Sequence, residues 1–512
     1  MTKIVRGIGA NPSEKNLARL ADRVFLSLWS YPNLFKSPGQ ELCDLLAICG
    51  DDVLIFSVKE SLWATNKDFK VAWSRWYRHA IKASVSQIGG ADRWLREHCD
   101  RVFLNAACTE PLPLNLPPIE RRRVHGIALA LGATDACAEF YNEKPGYFPI
   151  APDVHGDDHM NDNPNQLPFG VGDVRPGKSF VHVFNEPALD LLGRELDTVT
   201  DFTDYLTRRE RIIRSGNLLD VSGEHDLLAC YLCTGGPNDP HDFPAPAGNQ
   251  KISIAAGTFS SLAEQPHYVA KRKADEVSYK WDWLIGHFAK DILEGIAVGA
   301  DGGNAGIQEA EEALRSMALE PRLSRRLLGQ SFSQMFREAE IRGVDRFARV
   351  MLPQRRSADR SVGYIVLILA CREAQFGGDY DLYRRYRKAM LEGYCLDVLD
   401  KFPNLKRAFA IGFDASPKVT GRKGGSEDIV ALEIAEWTPA LKSRLAEARE
   451  IWELMRPENV IRSALSDDEF PRVKKSRGLK AHHLRMMECA LRRSARRLAR
   501  RERRRKRQSP IP

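Results

Sequence analysis

Residues 41–59 of this 512-residue chain read ELCDLLAICGDDVLIFSVK. The stretch contains two short apolar runs, 41–49 and 53–59, that are rich in residues with a preference for strands. Between the runs lies the triplet Gly-Asp-Asp, whose residues are typical of turns. The pattern predicts a β-hairpin, and the rest of the N-terminal region is interpreted around it.

The hairpin carries two charged side chains and a serine whose relative placement depends on the turn. Side chains alternate between the two faces of a strand, so Ser57 and Lys59 share one face. A turn formed by the first two residues of the triplet puts Asp44 opposite Ser57, and a turn formed by the last two puts it opposite Lys59. Both registers unite Asp44 with Lys59 on one face, whereas a three-residue turn puts Asp44 opposite Val58.

Helices and further strands are predicted on both sides of the hairpin. Asn11 is a good N-cap, Pro12 suits the first helical position and Glu14 lies three residues after the cap, so a helix is predicted to begin here. The apolar periodicity predicts a long helix over about residues 70–97, with Gly89-Gly90 as a candidate break. Two more strands and a helix are predicted at 101–105, 123–131 and 133–142.

The order of these elements resembles the PD-(D/E)XK nuclease superfamily. The resemblance consists of a helix with Glu14, a strand with Asp44, a turn, an apolar-x-Lys strand with Lys59, and a long helix. It implies an α/β fold in which a restriction-endonuclease-like mixed sheet flanked by helices occupies residues 1–142. It also implies a metal-dependent nuclease that hydrolyses phosphodiesters in DNA, with defence against foreign DNA or DNA repair as roles by analogy.

Carried over by position, the roles known in the family fall on four residues. Asp44 would bind the divalent cation, Mg²⁺ or Mn²⁺, Glu14 would be a second metal-binding carboxylate, and Lys59 would orient or polarise the attacking water. Ser57 stands where the family has Asp or Glu, and a hydroxyl is a much weaker ligand for Mg²⁺ than a carboxylate. The alternative is therefore a catalytically inactive nuclease-fold protein that binds nucleic acid or serves as an assembly subunit.

Each of these residues also has a simpler interpretation. Asp44 and Lys59 could form only a cross-strand ion pair, and Glu14 could only complete a capping box at the start of the helix. Ser57 could be a structural hydroxyl. Gln87 resembles a polar helix residue that several branches of the superfamily place near the metal, although a surface glutamine needs no function.

Two carboxylates and three cations also lie on or near these elements. Glu41 and Glu60 are near the ends of the two strands, but odd steps along the strands put each on the opposite face from the candidate residues unless a β-bulge intervenes. On the long helix, Arg75, Arg78 and Lys82 recur at helical spacing. They are predicted either to contact nucleic-acid phosphates or to form an ordinary solvated face.

The net charge of +8 is concentrated near the C-terminus. Residues 474–507 contain sixteen Lys or Arg against two Glu, so this segment carries +14 and the rest of the chain −6. A narrow apolar stripe predicts a basic helix, and concentrated positive charge binds polyanions by releasing their counterions. The first expectation for this segment is binding to nucleic acid. The second is a helix that is solvated or packs against the protein or a second copy, and the third is binding to an acidic membrane surface. The candidate nucleic-acid contacts of this basic tail are Arg492, Arg496, Arg500 and Arg504.

Composition divides the remainder of the chain. Residues 143–179 are dense in Pro, Gly, Asn and Asp and are predicted to form a long loop or domain junction. Residues 180–470 are predicted to form a larger mixed α/β domain of unknown role, followed by the basic tail at 471–512. This C-terminal half is a candidate surface for a second copy of the chain or a protein partner. Strands are predicted in it at 180–184, 362–370, 407–413 and 429–437.

The segment GDVRPGKS at 172–179 satisfies the written pattern of a phosphate-binding P-loop. Such a loop must follow a buried strand and open a helix whose N-terminus receives the phosphate. Here a stretch rich in Pro and Asn precedes the segment and the strand-like sequence FVHVF follows it. A P-loop is therefore not predicted.

The sequence contains no signal for a membrane or for export. No apolar run approaches the roughly 18 residues that a membrane span needs, and the N-terminus lacks the apolar core of a signal peptide. The ten cysteines are scattered without a framework spacing. We therefore expect a cytoplasmic protein with reduced thiols.

Overall fold

In the part of the chain that the structure describes, helices surround a five-stranded sheet, a four-stranded sheet and a two-stranded pair. The structure, a computed structural model, describes residues 3–161, 166–234, 240–246, 250–296, 307–354, 356–420, 425–456, 460–465 and 468–471. The strands of the first sheet are β1 (Ser30–Ser37), β2 (Gln40–Cys49), β3 (Asp52–Glu60), β4 (Arg123–Leu131) and β7 (Val181–Phe184). Strands β5 (Ile150–His155) and β6 (Val171–Asp173) pair with each other, and the second sheet consists of β8 (Arg346–Met351), β9 (Val362–Leu369), β10 (Arg407–Asp414) and β11 (Glu427–Glu433).

The helices fall into three groups along the chain. Those interleaved with the strands of the first sheet are α1 (Pro12–Val24), α2 (Phe69–Tyr77), α3 (Ala83–Glu97) and α4 (Thr134–Tyr141). Between the two sheets come α5 (Glu186–Glu195), α6 (Val199–Arg214), α7 (Glu224–Cys233), α8 (Thr258–Ala263), α9 (Pro266–Asp275), α10 (Tyr279–Leu293), α11 (Ile307–Ala318) and α12 (Arg322–Arg342). The second sheet is accompanied by α13 (Glu373–Phe376), α14 (Tyr380–Lys401), α15 (Pro417–Thr420) and α16 (Pro439–Trp452).

The first sheet is mixed, in the order β1-β2-β3-β4-β7. Strand β2 runs antiparallel to both β1 and β3, while β4 and β7 continue parallel to β3. Phe25, which follows α1, contacts Phe56, whereas Gln87 of α3 contacts Ser57. Because consecutive side chains of a strand point to opposite faces, the two helices cover opposite faces of the sheet. The predicted α/β class and the mixed sheet flanked by helices are confirmed.

Two predictions for the N-terminal strands were incomplete or wrong. Residues 101–105 form no strand, because Phe103 makes only isolated bridges to Phe35 and Pro111. Strand β1 was not predicted at all, since it contains Pro32 and Asn33, which are uncommon in strands. Proline is tolerated in β1 because this strand lies at the edge of the sheet.

The helix predicted over residues 70–97 is interrupted at a different place from the one expected. Helices α2 and α3 are joined by a π-helical turn at Arg78–Lys82, and α3 continues unbroken through Gly89 and Gly90. At Gly89 an added Cβ would lie 2.8 Å from Nη2 of Arg175. This glycine therefore permits a close side-chain approach and does not end the helix.

The first sheet extends past the boundary predicted at residue 142. Its fifth strand, β7, comes from residues 181–184 and pairs in parallel with β4, with Ile127 opposite His182. Two adjacent parallel strands need a crossover between them, and residues 132–180 supply it. The predicted loop at 143–179 therefore lies within this sheet's topology, and it contains β5, β6 and a 3₁₀ turn at Gly156–Met160.

The second sheet contains the three strands predicted at 362–370, 407–413 and 429–437, although the last of them ends at Glu433, and it also contains β8, which was not predicted. Its order is β11-β10-β9-β8, with β9 and β10 parallel and both outer pairs antiparallel. Every residue of β9 is buried. Val366 packs in the large core shared with the first sheet, while its neighbour Leu367 packs in a smaller core against α14. The strand is therefore covered on both faces, which explains its uninterrupted apolar sequence.

The start of β3 is tied to β4 by a buried aspartate. Asp52 is 4% exposed and accepts hydrogen bonds from Arg123, at 2.7 and 2.9 Å, and His125, at 3.0 Å. Burial alone would raise the pKa of Asp52, but the hydrogen bonds from His125 and Arg123 outweigh it and hold this pKa below its usual range. A depressed pKa in the folded state means that Asp52 stabilises the fold only while it is ionised.

We therefore expect an acid-dependent contribution from Asp52 to stability. It should be complete above about pH 4, the ordinary carboxyl pKa, and be lost as the pH falls through the lower pKa of the folded state. In urea denaturation, Asp52→Asn should be less stable at pH 7 and lose less stability on acidification than the parent chain. Asp51→Asn, at the half-buried neighbouring position where Asp51 pairs with the exposed Arg121, should behave like the parent. An unchanged acid profile in Asp52→Asn would contradict the assignment.

Within the ranges described above, no helix combines the length and the apolar character that crossing a bilayer requires.

Candidate functional site

The hairpin between β2 and β3 adopts the first of the two predicted registers. Cys49 pairs with Asp52, so the two residues between them form the turn. The first of these, Gly50, has a φ of 62°, in the left-handed region that glycine adopts without strain. Continued outward, this register puts Asp44 across from Ser57.

The carboxylate of Asp44 has three polar contacts. Its Oδ2 accepts a hydrogen bond from the Val58 N–H at 2.5 Å and lies 3.5 Å from Nζ of Lys59, and its Oδ1 accepts from Nε2 of Gln87 at 3.4 Å. The side chain of Asp44 is 3% exposed, whereas that of Lys59 is 34% exposed. The carboxylate and the ammonium are therefore together on one face of the sheet, and the pair is open to solvent on the side of the lysine.

Gln87 connects α3 to both strands of the hairpin. The hydroxyl of Ser57, which is fully buried, donates to Oε1 of Gln87 at 2.8 Å. The amide nitrogen of the same glutamine donates to Asp44. Ser57 thus orients the amide that contacts the aspartate. We call Asp44, Ser57, Lys59 and Gln87 the candidate site.

Glu14 lies at the start of α1 and is engaged in hydrogen bonds with the helix start and with β1. Its N–H donates to Oδ1 of Asn11 at 2.9 Å, and its carboxylate accepts from the Ala10 N–H at 2.7 Å. It also accepts from Nδ2 of Asn33 at 2.8 Å. These contacts amount to a variant of the capping box, in which the glutamate reaches the residue before the N-cap.

Glu41 is the carboxylate that a strand irregularity brings toward the candidate site. Leu34 pairs with Cys43 but the next residue, Phe35, pairs with Glu41, so Leu42 is an extra residue in β2. Such a bulge changes the face on which the following side chains lie. Asn33 donates to Glu41 at 3.2 Å as well as to Glu14.

The acidic side chains influence one another electrostatically. The pKa of Glu41 is raised, mainly by partial burial and further by the negative charges of Asp44 and Glu14, while the hydrogen bond from Asn33 and the charge of Lys59 oppose the rise. Asn33 was not singled out from the sequence, and Glu41 was assigned to the opposite face of its strand unless a β-bulge intervened. The only sequence signal was the proviso that a bulge would turn Glu41 around.

The arrangement provides a limited set of metal ligands. Among the described residues, no three Asp, Glu, His or Cys side chains are grouped so that they could hold a metal ion. Mg²⁺ is commonly bound by only one or two carboxylates together with water and substrate phosphates. The residues present therefore fit a cation that Asp44 holds jointly with a substrate, and they do not fit a cation enclosed by protein ligands alone.

The cations predicted to contact nucleic acid are only partly described. Arg75 and Arg78 are exposed on α2 and the π-helical turn and have no ion pair among the described residues. Lys82 is exposed and pairs with Asp157 at 2.8 Å. The basic tail, with Arg492, Arg496, Arg500 and Arg504, lies outside the described residues.

Comparison with known proteins identified no relative of this chain. No protein-family model, no curated protein and no solved structure matches the chain.

Proposed function

We propose that the chain is a metal-dependent nuclease of the PD-(D/E)XK kind that hydrolyses phosphodiesters in DNA. The proposal is carried by one observation, the approach of the Lys59 ammonium to 3.5 Å from the Asp44 carboxylate at a position open to solvent. The order of α1, the hairpin and the helical segment from α2 to α3 agrees with the order on which the resemblance is based, with β1 inserted between α1 and the hairpin.

Each residue of the candidate site would have a distinct task. Asp44 would hold Mg²⁺ or Mn²⁺ together with phosphate oxygens of the substrate, and the bound cation would lower the pKa of a coordinated water. Lys59 would stabilise negative charge that develops on the phosphate. Gln87 would keep Asp44 oriented, and Glu14 would supply a second ligand by giving up hydrogen bonds from Ala10, Asn11 and Asn33.

The partner contacts follow from charge. Arg75 and Arg78 are exposed cations on the helical segment that leads into α3, and they would contact the phosphates of a DNA strand beside the site. The basic tail would raise the affinity for DNA in a manner that weakens with salt. Neither group would read sequence, because contacts to phosphates carry none.

A second candidate function is supported by Ser57. The superfamily has a carboxylate at this position, and here a buried hydroxyl bonded to Gln87 takes its place. A protein with this substitution could keep the fold and bind nucleic acid without cleaving it, or act as an assembly subunit. The two candidates differ in whether DNA is cut.

The deciding experiment incubates the full chain with supercoiled and linear DNA in Mg²⁺ or Mn²⁺. We expect cleavage, and we expect Asp44→Asn and Lys59→Met to reduce its rate by about 100-fold or more, a loss typical when one charge-stabilising group is removed. Arg385→Ala, an exposed cation on α14, is the control and should cleave at the parental rate. Cleavage that survives both site substitutions would contradict the assigned site, and DNA binding without cleavage by the parent chain would favour the second candidate.

A further inference from the structure

A second polar feature lies between α3 and the chain that crosses over it. A cavity of about 310 Å³ opens between α3, residues 156–157 and residues 174–178. Four of its lining side chains are cationic, and Asp157 is the one carboxylate among the residues that line it. The cations are Lys82, Arg93, Arg175 and Lys178. We call this feature the basic cavity.

The cations of the basic cavity are incompletely neutralised by the protein. Lys82 pairs with Asp157. Arg93 and Lys178 are exposed and form no ion pair with any described residue, and Nη1 of Arg175 is buried without a hydrogen-bond partner. Clustered like charges repel, and a buried donor without an acceptor costs free energy. An anionic ligand bound among these cations would remove the repulsion between them.

The loop that supplies two of these cations is fixed by hydrogen bonds from outside the cavity. Arg214 of α6 donates from Nε to Oδ2 of Asp173 at 2.8 Å and from Nη2 to the Lys178 carbonyl at 2.8 Å. Oδ1 of Asp173 accepts from the Arg175 N–H at 3.0 Å, and Ser179 donates to Asp92 of α3 at 2.9 Å. The cavity wall is therefore preorganised, which lowers the entropic cost of binding.

Gly89 of α3 leaves room for the side chain of Arg175 at the wall of the basic cavity. The guanidinium of Arg175 lies against α3 at this residue, where an added Cβ would be 2.8 Å from Nη2. At the adjacent Gly90 an added Cβ would have nothing within 4 Å. A side chain at position 89 would therefore displace Arg175, whereas a side chain at position 90 would not.

We propose that the basic cavity binds a phosphate-bearing ligand, either a free nucleotide or the backbone of a nucleic acid. Guanidinium and ammonium groups are the side chains that recognise phosphate, through charge-assisted hydrogen bonds. The volume is at the small end of the range for ligand cavities, about 300–1,000 Å³, so it suits a diphosphate or a short backbone segment. Recognition is by side chains, because strand β7 and not a helix follows the GDVRPGKS segment. The proposal is based on the cavity alone and does not depend on nuclease activity.

The first test uses inorganic pyrophosphate as the probe. Isothermal titration calorimetry on the full chain in EDTA excludes metal chemistry, so that failure here is distinct from failure of the proposed nuclease. We expect Arg93→Ala/Lys178→Ala to bind pyrophosphate at least about tenfold more weakly, since each lost charge-assisted contact costs that much or more. The matched control is Arg385→Ala/Lys442→Ala, two exposed cations on α14 and α16, which should bind like the parent.

The glycine pair provides a second test that removes no charge. Gly89→Ala should weaken pyrophosphate binding, because the new methyl group displaces Arg175. Gly90→Ala should keep the parental affinity, and as a Gly-to-Ala change within a helix it should not lower the melting temperature. Circular dichroism of both variants separates loss of the site from loss of the fold.

Competition then identifies the source of the phosphate. Displacement of pyrophosphate by ADP but not by a single-stranded oligonucleotide indicates a nucleotide site, and the reverse indicates a nucleic-acid backbone. The proposal is overturned if the parent chain does not bind pyrophosphate, if Arg93→Ala/Lys178→Ala binds it as tightly as the control, if Gly89→Ala and Gly90→Ala bind it equally, or if neither competitor displaces it.

Discussion

Ser57→Asp is expected to make the stability of the chain depend on a divalent cation. Ser57 is fully buried and lies across from Asp44, so the new carboxylate would be placed beside an existing one in a poorly solvated position. Without a counter-charge this should lower the free energy of unfolding by about 3–5 kcal/mol, the cost typical of an uncompensated buried charge. Two carboxylates beside Lys59 would also form a better site for Mg²⁺ than Asp44 alone.

Bound Mg²⁺ should therefore restore much of this loss. At a cation concentration about 100 times the dissociation constant, binding to the folded state alone adds about 2.7 kcal/mol. Thermal denaturation of Ser57→Asp in EDTA and in excess Mg²⁺ measures the difference. Ser57→Asn has the same volume without the charge, so it should show no such difference. Equal responses of the two variants to Mg²⁺ would contradict a metal-binding role for this face of the hairpin.

Arg387→Leu is expected to lower the free energy of unfolding of the region around the second sheet by about 3–5 kcal/mol. The side chain of Arg387 is 0% exposed, and it donates to Oδ2 of Asp428 from Nε at 2.8 Å and from Nη2 at 2.5 Å. It also donates to Asp414 and Ser426. Asp428 is on β11 and Asp414 ends β10, so one guanidinium joins α14 to two strands. Without it, Asp428 would be left buried with only the contact from Arg384.

Urea denaturation, with hydrogen exchange of the β10 and β11 amides, measures this effect. Arg385→Leu, an exposed neighbour on the same helix, should change the free energy of unfolding by no more than about 0.5 kcal/mol. Arg387→Leu/Asp428→Leu should be less destabilised than Arg387→Leu, because removing both partners leaves fewer uncompensated charges. If the single and double variants were equally unstable, packing of the arginine and not its pairing with Asp428 would be the source of the effect.

Local sequence signals predicted the elements that are regular and missed those that depend on distant partners. The hairpin and α1 were predictable because their apolar periodicity, turn residues and cap all lie within a few positions. Strand β1 was not, because Asn33 is uncommon in strands and Pro32 is tolerated in this one by its place at the sheet edge, and no local pattern indicates which strand is the edge. The place of β7 in the first sheet is likewise decided by pairing with β4 across more than 50 residues.

The same distinction applies to the candidate site. Alternation along two strands was sufficient to predict that Asp44 and Lys59 share a face, and the register was correct as one of two alternatives. The bulge at Leu42 that turns Glu41 toward this region arises from pairing with β1, a strand that was itself missed. The basic cavity brings α3 together with residues 156–178, and nothing in the sequence of either segment indicates their contact.

Strand β7 follows β4 by about 50 residues in the sequence, which affects both folding during synthesis and the expression of shorter fragments. As the ribosome releases the chain, the outer edge of β4 has no partner until residues 181–184 have emerged, and an unpaired strand edge invites association with other chains. Strand pairs between residues that are far apart in the sequence also form slowly during folding. A gene fragment that stops at residue 142 would carry this open edge permanently, so any fragment meant to contain the whole first sheet has to extend beyond residue 184.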